Sequence, residues 1–217
     1  MKEKVELIVL GHTKFREHSV VLHTLSQAYG RRGFLVRVGP KSAMTLFLPL
    51  NLVEAEVSPN PRSSLWHAGS FTLLDPLEGI RRNLYKNSMT LFMSEVLYRV
   101  VKEDTNEEGL SDWLKKQILT LNALESDFSN FHLLFLLSLC GILGFAADPN
   151  GLAPFAGGQL RHIDALLTLP FEEALLYPLC GEDRSGIARA VLAYLEHHTE
   201  SAIRIRSLDV LHDLFND

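Results

Sequence analysis

Residues 19–38 read Ser-Val-Val-Leu-His-Thr-Leu-Ser-Gln-Ala-Tyr-Gly-Arg-Arg-Gly-Phe-Leu-Val-Arg-Val, and the period of this stretch decides the fold. Apolar and polar side chains alternate over Ser19–Leu25 and again over Gly33–Val38, the mark of half-buried strands. Between them, Tyr29-Gly30 followed by Arg31-Arg32-Gly33 supplies turn material. Working outward, the same signal recurs at Val5–Gly11, Thr45–Val57 and Leu65–Leu73. Gly39-Pro40-Lys41-Ser42 and Ser58-Pro59-Asn60-Pro61 punctuate it. Five short strands within about 75 residues predict a small closed barrel, because closure removes the exposed edges an open sheet would leave.

From Asp75-Pro76 onward the period becomes helical. Leu77, Ile80, Leu84, Leu91 and Tyr98 form one expected stripe, with Phe92 and Val101 beside it. A second helix, capped by Asn106 or Ser111, should bury Leu110, Trp113, Leu114, Ile118 and Leu121. Phe131–Leu143 is apolar on all sides, as the central helix of a bundle would be. The stretch from Phe145 to Gln159 reads as loop. Helices are expected at Pro170–Leu176, at Gly186–His198 behind a Ser185 cap, and at Leu208–Phe215 after Ser207. The expected architecture is α+β, with a five-stranded barrel over residues 1–75 and a helical bundle over residues 76–217.

Charge divides along the same line. From His12 to Lys41, six cations (Lys14, Arg16, Arg31, Arg32, Arg37 and Lys41) face the single acid Glu17, a net +5 in a chain whose total is −5. Beyond Lys102, seven Lys/Arg stand against eighteen Asp/Glu, a net −11. A positive field confined to a small β module is the footprint of a surface that meets phosphates. Phe15, Tyr29, Phe34 and Phe47 are interleaved with these cations, and an aromatic ring offers its face to an unstacked base. Phe34 and Phe47 suit the barrel core better. Arg81, Arg82 and Lys86, at the start of the first long helix, extend the candidate track.

Chemistry has little to stand on. Gly39-Pro40-Lys41-Ser42 lacks the glycines of a phosphate loop, and Pro40 has no N–H to offer an anion. None of the nine histidines has a partner four residues away, and neither Cys140 nor Cys180, each in an apolar setting, has a second cysteine nearby. Glu107-Glu108 and Glu172-Glu173 read as first-turn carboxylates, and no G-x-S-x-G nucleophile occurs. A protein that is not an enzyme and carries no cofactor or metal is expected. The N-terminus lacks an uninterrupted apolar run, and the seventeen residues from Phe131 to Ala147 fall short of the roughly 20 that span a bilayer. A cytoplasmic protein without membrane contact is expected.

Several motifs resemble one family. Ser19-Val-Val-Leu-His-Thr-Leu with Tyr29-Gly30, then Leu35-Val36-Arg37-Val38-Gly39-Pro40-Lys41-Ser42, then Leu46-Phe47-Leu48-Pro49-Leu50 and Leu52-Val53-Glu54, are similar to RecO. This bacterial recombination mediator joins an N-terminal OB-fold barrel to a C-terminal helical domain. Ile142-Leu143-Gly144-Phe145 and Arg206-Ser207-Leu208 with Leu211 resemble its later elements. The resemblance implies binding of single- and double-stranded DNA, strand annealing, and recombinase loading onto DNA coated with the single-stranded-DNA-binding protein SSB. It also implies RecR and the acidic C-terminal tail of SSB as partners, the latter meeting a cation among Arg161, Arg189, Arg204 and Arg206. Cysteines that hold zinc in part of the family have no counterpart after Phe145, so a zinc-free copy is expected. The alternative is a protein–protein adaptor with no DNA contact.

Overall fold

The computed structural model describes residues 2–39, 44–60, 63, 65–145 and 147–216. The Pro40-Lys41-Ser42 turn lies outside the described residues. Five strands, β1 (Glu3–Arg16), β2 (Ser19–Ser26), β3 (Gly30–Arg37), β4 (Leu52–Ser58) and β5 (Trp66–Leu73), close into an OB-type barrel in the order β1-β2-β3-β5-β4. All neighbours are antiparallel except β3 and β5, which meet in parallel at Phe34–Trp66 and Leu35–His67. Alternation places Val5, Leu7, Val9, Val20, Leu22, Phe34, Val36, Val53, Ala55 and Val57 inside, with Phe47 at one end. A bulge between Val9 and Gly11 bends β1, whose first half pairs with β4 and whose second half pairs with β2.

The expected strand Thr45–Val57 begins late. Met44–Phe47 forms a 3-10 turn, and the strand starts only at Leu52. Pro49 has no N–H for a ladder, Leu50 adopts φ 59°, and the Asn51 amide donates to the carbonyls of Thr45 (2.9 Å) and Leu46 (3.2 Å), fixing a turn where alternation had promised extended chain.

Nine helices follow among the described residues: α1 (Glu78–Arg81), α2 (Leu84–Val100), α3 (Leu110–Ala123), α4 (Phe131–Ile142), α5 (Pro149–Leu152), α6 (Leu160–Thr168), α7 (Phe171–Leu176), α8 (Gly181–Thr199) and α9 (Ser207–Asn216). The chain divides into two compact units, Met1–Glu78 with Val101–Ile118, and Gly79–Val100 with Leu119–Asp217. The first unit is thus completed by a segment that follows α2. Gly30, at φ 59°, receives this segment so closely that a Cβ there would overlap the Thr105 carbonyl.

In the second unit α4 is the buried centre, packed against α2, α7 and α8, with Phe131, Leu133, Phe135, Leu136 and Leu139 fully enclosed. The α2 stripe differs from expectation. Leu84 and Leu91 are exposed, while Met89, Phe92, Met93, Val96, Leu97 and Val100 are buried. Helix α1 stops at Arg81, and the Asn87 amide donates to the carbonyls of Ile80, Arg81 and Asn83, so the phase set by Leu77 and Ile80 does not carry into α2. Thr90 and Ser94, which read as polar, are buried because their hydroxyls bond back to the carbonyls of Asn87 and Leu91.

Neither α5, which Asp148 caps within the stretch read as loop, nor α6 was expected, and α8 starts before Ser185. Cys180 is its cap: the Asp183 N–H donates to Sγ (3.4 Å) while the Cys180 N–H donates to Oδ2 of Asp183 (3.3 Å). Cys180 is accordingly exposed, against the apolar setting expected for it. Ser185 is instead buried, 2.6 Å from Nδ1 of His212 on α9. Glu95 holds the start of α9, accepting from the N–H of Arg206 (3.2 Å), the N–H of Ser207 (3.0 Å) and the Ser207 hydroxyl (2.6 Å). Burial alone would raise its pKa, but the bonds from Ser207 and Arg206 outweigh that and lower it. No helix among the described residues is long and apolar enough to cross a membrane.

Candidate nucleic-acid interface

The barrel cations fall into two groups at opposite ends of β3. At one end, Arg16 pairs with Ser19, which pairs in turn with Arg37, so both arginines stand on one rung of β1-β2-β3, two strands and about 10 Å apart. Lys14 occupies the next rung, opposite Val20. All three side chains are exposed. Phe15, 46% exposed, carries the Arg16 guanidinium 5.3 Å from its ring centroid. The turn Glu17-His18 joins β1 to β2 here, and in OB barrels this loop and the β2–β3 face are where oligonucleotides lie. A cleft of about 560 Å³ borders Arg37 and is also lined by Leu46, His67 and Phe71. At the far end of the barrel wall, Lys2 and Lys4 are matched by Glu56 (3.4 Å) and Glu54 (2.8 Å) of β4.

Arg31 and Arg32 begin β3 and are engaged differently. The Arg31 guanidinium donates to the carbonyl of Val101 (2.8 Å), and its own N–H donates to Thr105 (3.0 Å). Arg32 is ion-paired to Asp104, whose Oδ1 lies 2.9 Å from Nη2 and 3.1 Å from Nε. Its guanidinium also lies over Trp66 (4.7 Å) and Tyr29 (5.6 Å). Neither Trp66 nor Asp104 was marked by the sequence. Asp104 lies 72 residues from its partner. Lys41 lies outside the described residues.

Arg81, Arg82 and Lys86 belong to the second unit. Lys86 is 3% exposed, its ammonium donating to the Leu124 carbonyl and lying 5.1 Å from the Phe128 ring centroid; burial lowers its pKa. Arg81 is half-buried and donates to Oδ1 of Asn87 (3.0 Å), whereas Arg82 is exposed. Phe34 and Phe47 are core residues, whereas Phe15 is exposed and Tyr29, Trp66 and Phe71 are half-buried against the barrel core. Among the described residues no three His, Cys, Asp or Glu side chains gather where a metal ion would be held.

A closed OB-type barrel with a cation-bearing strand end, followed by an all-helical unit, defines the class of the protein by its fold. Residues 81–153 match the family model described as Recombination protein O C terminal. Along its whole length the chain is similar to proteins named DNA repair protein RecO: 28% identical over 245 residues to that of Bacteroides fragilis, 27% over 241 to that of Phocaeicola vulgatus, and 23% over 239 to that of Flavobacterium johnsoniae. Each comparison covers 100% of both chains. The likeness to the RecO family, read first from short motifs, therefore holds from end to end of the chain.

Proposed function

We infer that this protein serves DNA repair and recombination as a DNA-binding mediator that performs no covalent chemistry itself. The observation that carries the reading is the exposed Lys14–Phe15–Arg16 strand end, whose Arg16 shares a rung with Arg37, next to the loop that OB barrels offer to oligonucleotides. Three unburied cations meet phosphates of any sequence, and Phe15 adds a ring for a base. The full-length similarity to proteins named for DNA repair supports the same role. Annealing of complementary strands, loading of recombinase on SSB-coated DNA, and engagement of RecR and the SSB tail follow as proposals from the family resemblance. Arg82, exposed on the second unit, is proposed as a further phosphate contact.

The test is anisotropy of a labelled oligonucleotide titrated with the wild-type protein and with Lys14→Ala/Arg16→Ala/Arg37→Ala at several salt concentrations. The triple variant should bind single strands of any sequence more weakly. It should also flatten the slope of log affinity against log salt by about two, since each lost phosphate contact contributes about 0.7. Equal affinity and slope for the two proteins would overturn the interface. Failure of the wild-type chain to retard single-stranded DNA at low salt would favour the adaptor reading.

A further inference from the structure

The surroundings of Arg32 are more elaborate than a surface ion pair requires. Its guanidinium lies over two rings, Trp66 at 4.7 Å and Tyr29 at 5.6 Å, and those rings meet edge to face at 5.0 Å. The opposing carboxylate belongs to Asp104, in a strap that returns to the barrel after α2. The strap is tied down by the Asp104 N–H to the Arg31 carbonyl (2.8 Å), by the Arg31 N–H to Thr105 (3.0 Å), and by the Asn106 amide to the Gln27 carbonyl (3.1 Å). Glu103, beside it, brings its carboxylate to 3.1 Å from where a Cβ on Gly33 would sit. The strap thus lays two consecutive acids on the start of β3. The Asp104 side chain is 64% exposed. The Arg32 side chain is 23% exposed, and with its partner so largely in water the pair adds about 1 kcal/mol or less to folding.

A cation bracketed by aromatic rings on an oligonucleotide-type barrel is the arrangement that holds a nucleotide of a single strand, the ring meeting the base and the guanidinium the phosphate. A carboxylate accepting from two guanidinium nitrogens occupies the position, and carries the charge, of that phosphate. Resting on the DNA-binding reading above, we propose that Tyr29, Arg32 and Trp66 form a nucleotide site for single-stranded DNA, and that Asp104 fills its phosphate position until a strand displaces it. Displacement does two things at once. It hands Arg32 to the incoming phosphate, and as the guanidinium turns away it bares the face of Trp66 for an unstacked base. A duplex, whose bases stay stacked, gains only the first. The site thereby distinguishes single strands from duplex, which cations without a displaceable cover do not.

The experiment compares Asp104→Asn with Glu108→Gln, which removes one charge from an exposed neighbouring residue without touching Arg32. Both are made in a Trp113→Phe background, so that Trp66 is the remaining tryptophan of the two. Binding of oligo-dT and of a duplex of equal length is followed by anisotropy, and Trp66 emission is read at saturation. Asp104→Asn should tighten oligo-dT binding about two- to five-fold beyond Glu108→Gln, the worth of one exposed ion pair. Adding Arg32→Gln should abolish that gain. Trp66 emission should fall with oligo-dT and not with duplex. Equal affinity of the Asp104 and Glu108 variants, or Trp66 emission unmoved by a bound strand, overturns the nucleotide site while leaving the Lys14–Arg16–Arg37 interface standing. A protein that binds no oligonucleotide in any form removes both.

Discussion

His132→Leu should flatten the acid side of this protein's stability curve. His132 lies on α4, 2% exposed, its ring edge to face with Phe92 at 5.9 Å. Burial, with the nearby Arg184 charge adding to it, pushes its pKa down to about 3. In the unfolded chain the imidazole titrates near its ordinary 6.5. The unfolded state therefore binds more protons between these values, and the stability that His132 contributes is complete above pH 6.5 and is lost as pH falls toward 3. At about 1.4 kcal/mol per pH unit, the loss is about 1–2 kcal/mol by pH 5.5 and about 2–3 kcal/mol by pH 4.5. Urea titrations followed by circular dichroism at 222 nm, at pH 7.5, 5.5 and 4.5, measure it for both proteins. Groups common to the two cancel in the difference, among them His23, whose pKa is also lowered by burial. The wild type should lose these amounts relative to the leucine variant, whatever their order at pH 7.5. Parallel losses in the two proteins would refute a neutral, solvent-excluded imidazole at this position.

Two further outcomes follow from the second unit. The Asn130 amide donates to the carbonyls of Ala174 (3.1 Å), Leu175 (3.2 Å) and Tyr177 (2.8 Å) while its Oδ1 accepts from Nε of Arg184 (2.9 Å), so Asn130→Ala removes four bonds at a buried point. It should cost about 2–4 kcal/mol in urea unfolding, a loss below about 1 kcal/mol contradicting the hub. Cys180 is exposed and Cys140 buried, with its thiol pushed up to about 12 by burial, so a disulfide reagent should modify one thiol rapidly in the native protein and the second only with denaturant. Two fast thiols would contradict that packing.

The barrel was legible where burial alternates, because Val20, Leu22, Phe34 and Val36 each face inward at every second residue. The stretch from 44 to 51 was not, since an Asn51 side chain satisfying the carbonyls of Thr45 and Leu46 leaves no trace in hydropathy. The helical half was legible in number more than in phase. Buried hydroxyls on α2 that bond to their own backbone look solvated in a sequence, and a cysteine cap on α8 looks like none. Among the proposed contacts, Lys14, Arg16 and Arg37 read as exposed cations and are exposed. Lys86 read the same way, yet its ammonium rests on a carbonyl and a ring that arrive from 38 and 42 residues downstream. Asp104 was invisible for a related reason: its partner lies on the other side of two whole helices in the chain.

The discontinuity of the first unit bears on how the protein is made. Its five strands have all left the ribosome once Leu73 has emerged, but Gly30 and Arg31 wait for Val101–Asn106. Synthesis therefore delivers a nearly finished β module, then a long amphipathic helix belonging elsewhere, and only then the piece that seals the first. For that interval Arg31 lacks the Val101 carbonyl and Arg32 lacks the Asp104 carboxylate, so the start of β3 keeps its rings but not its acid.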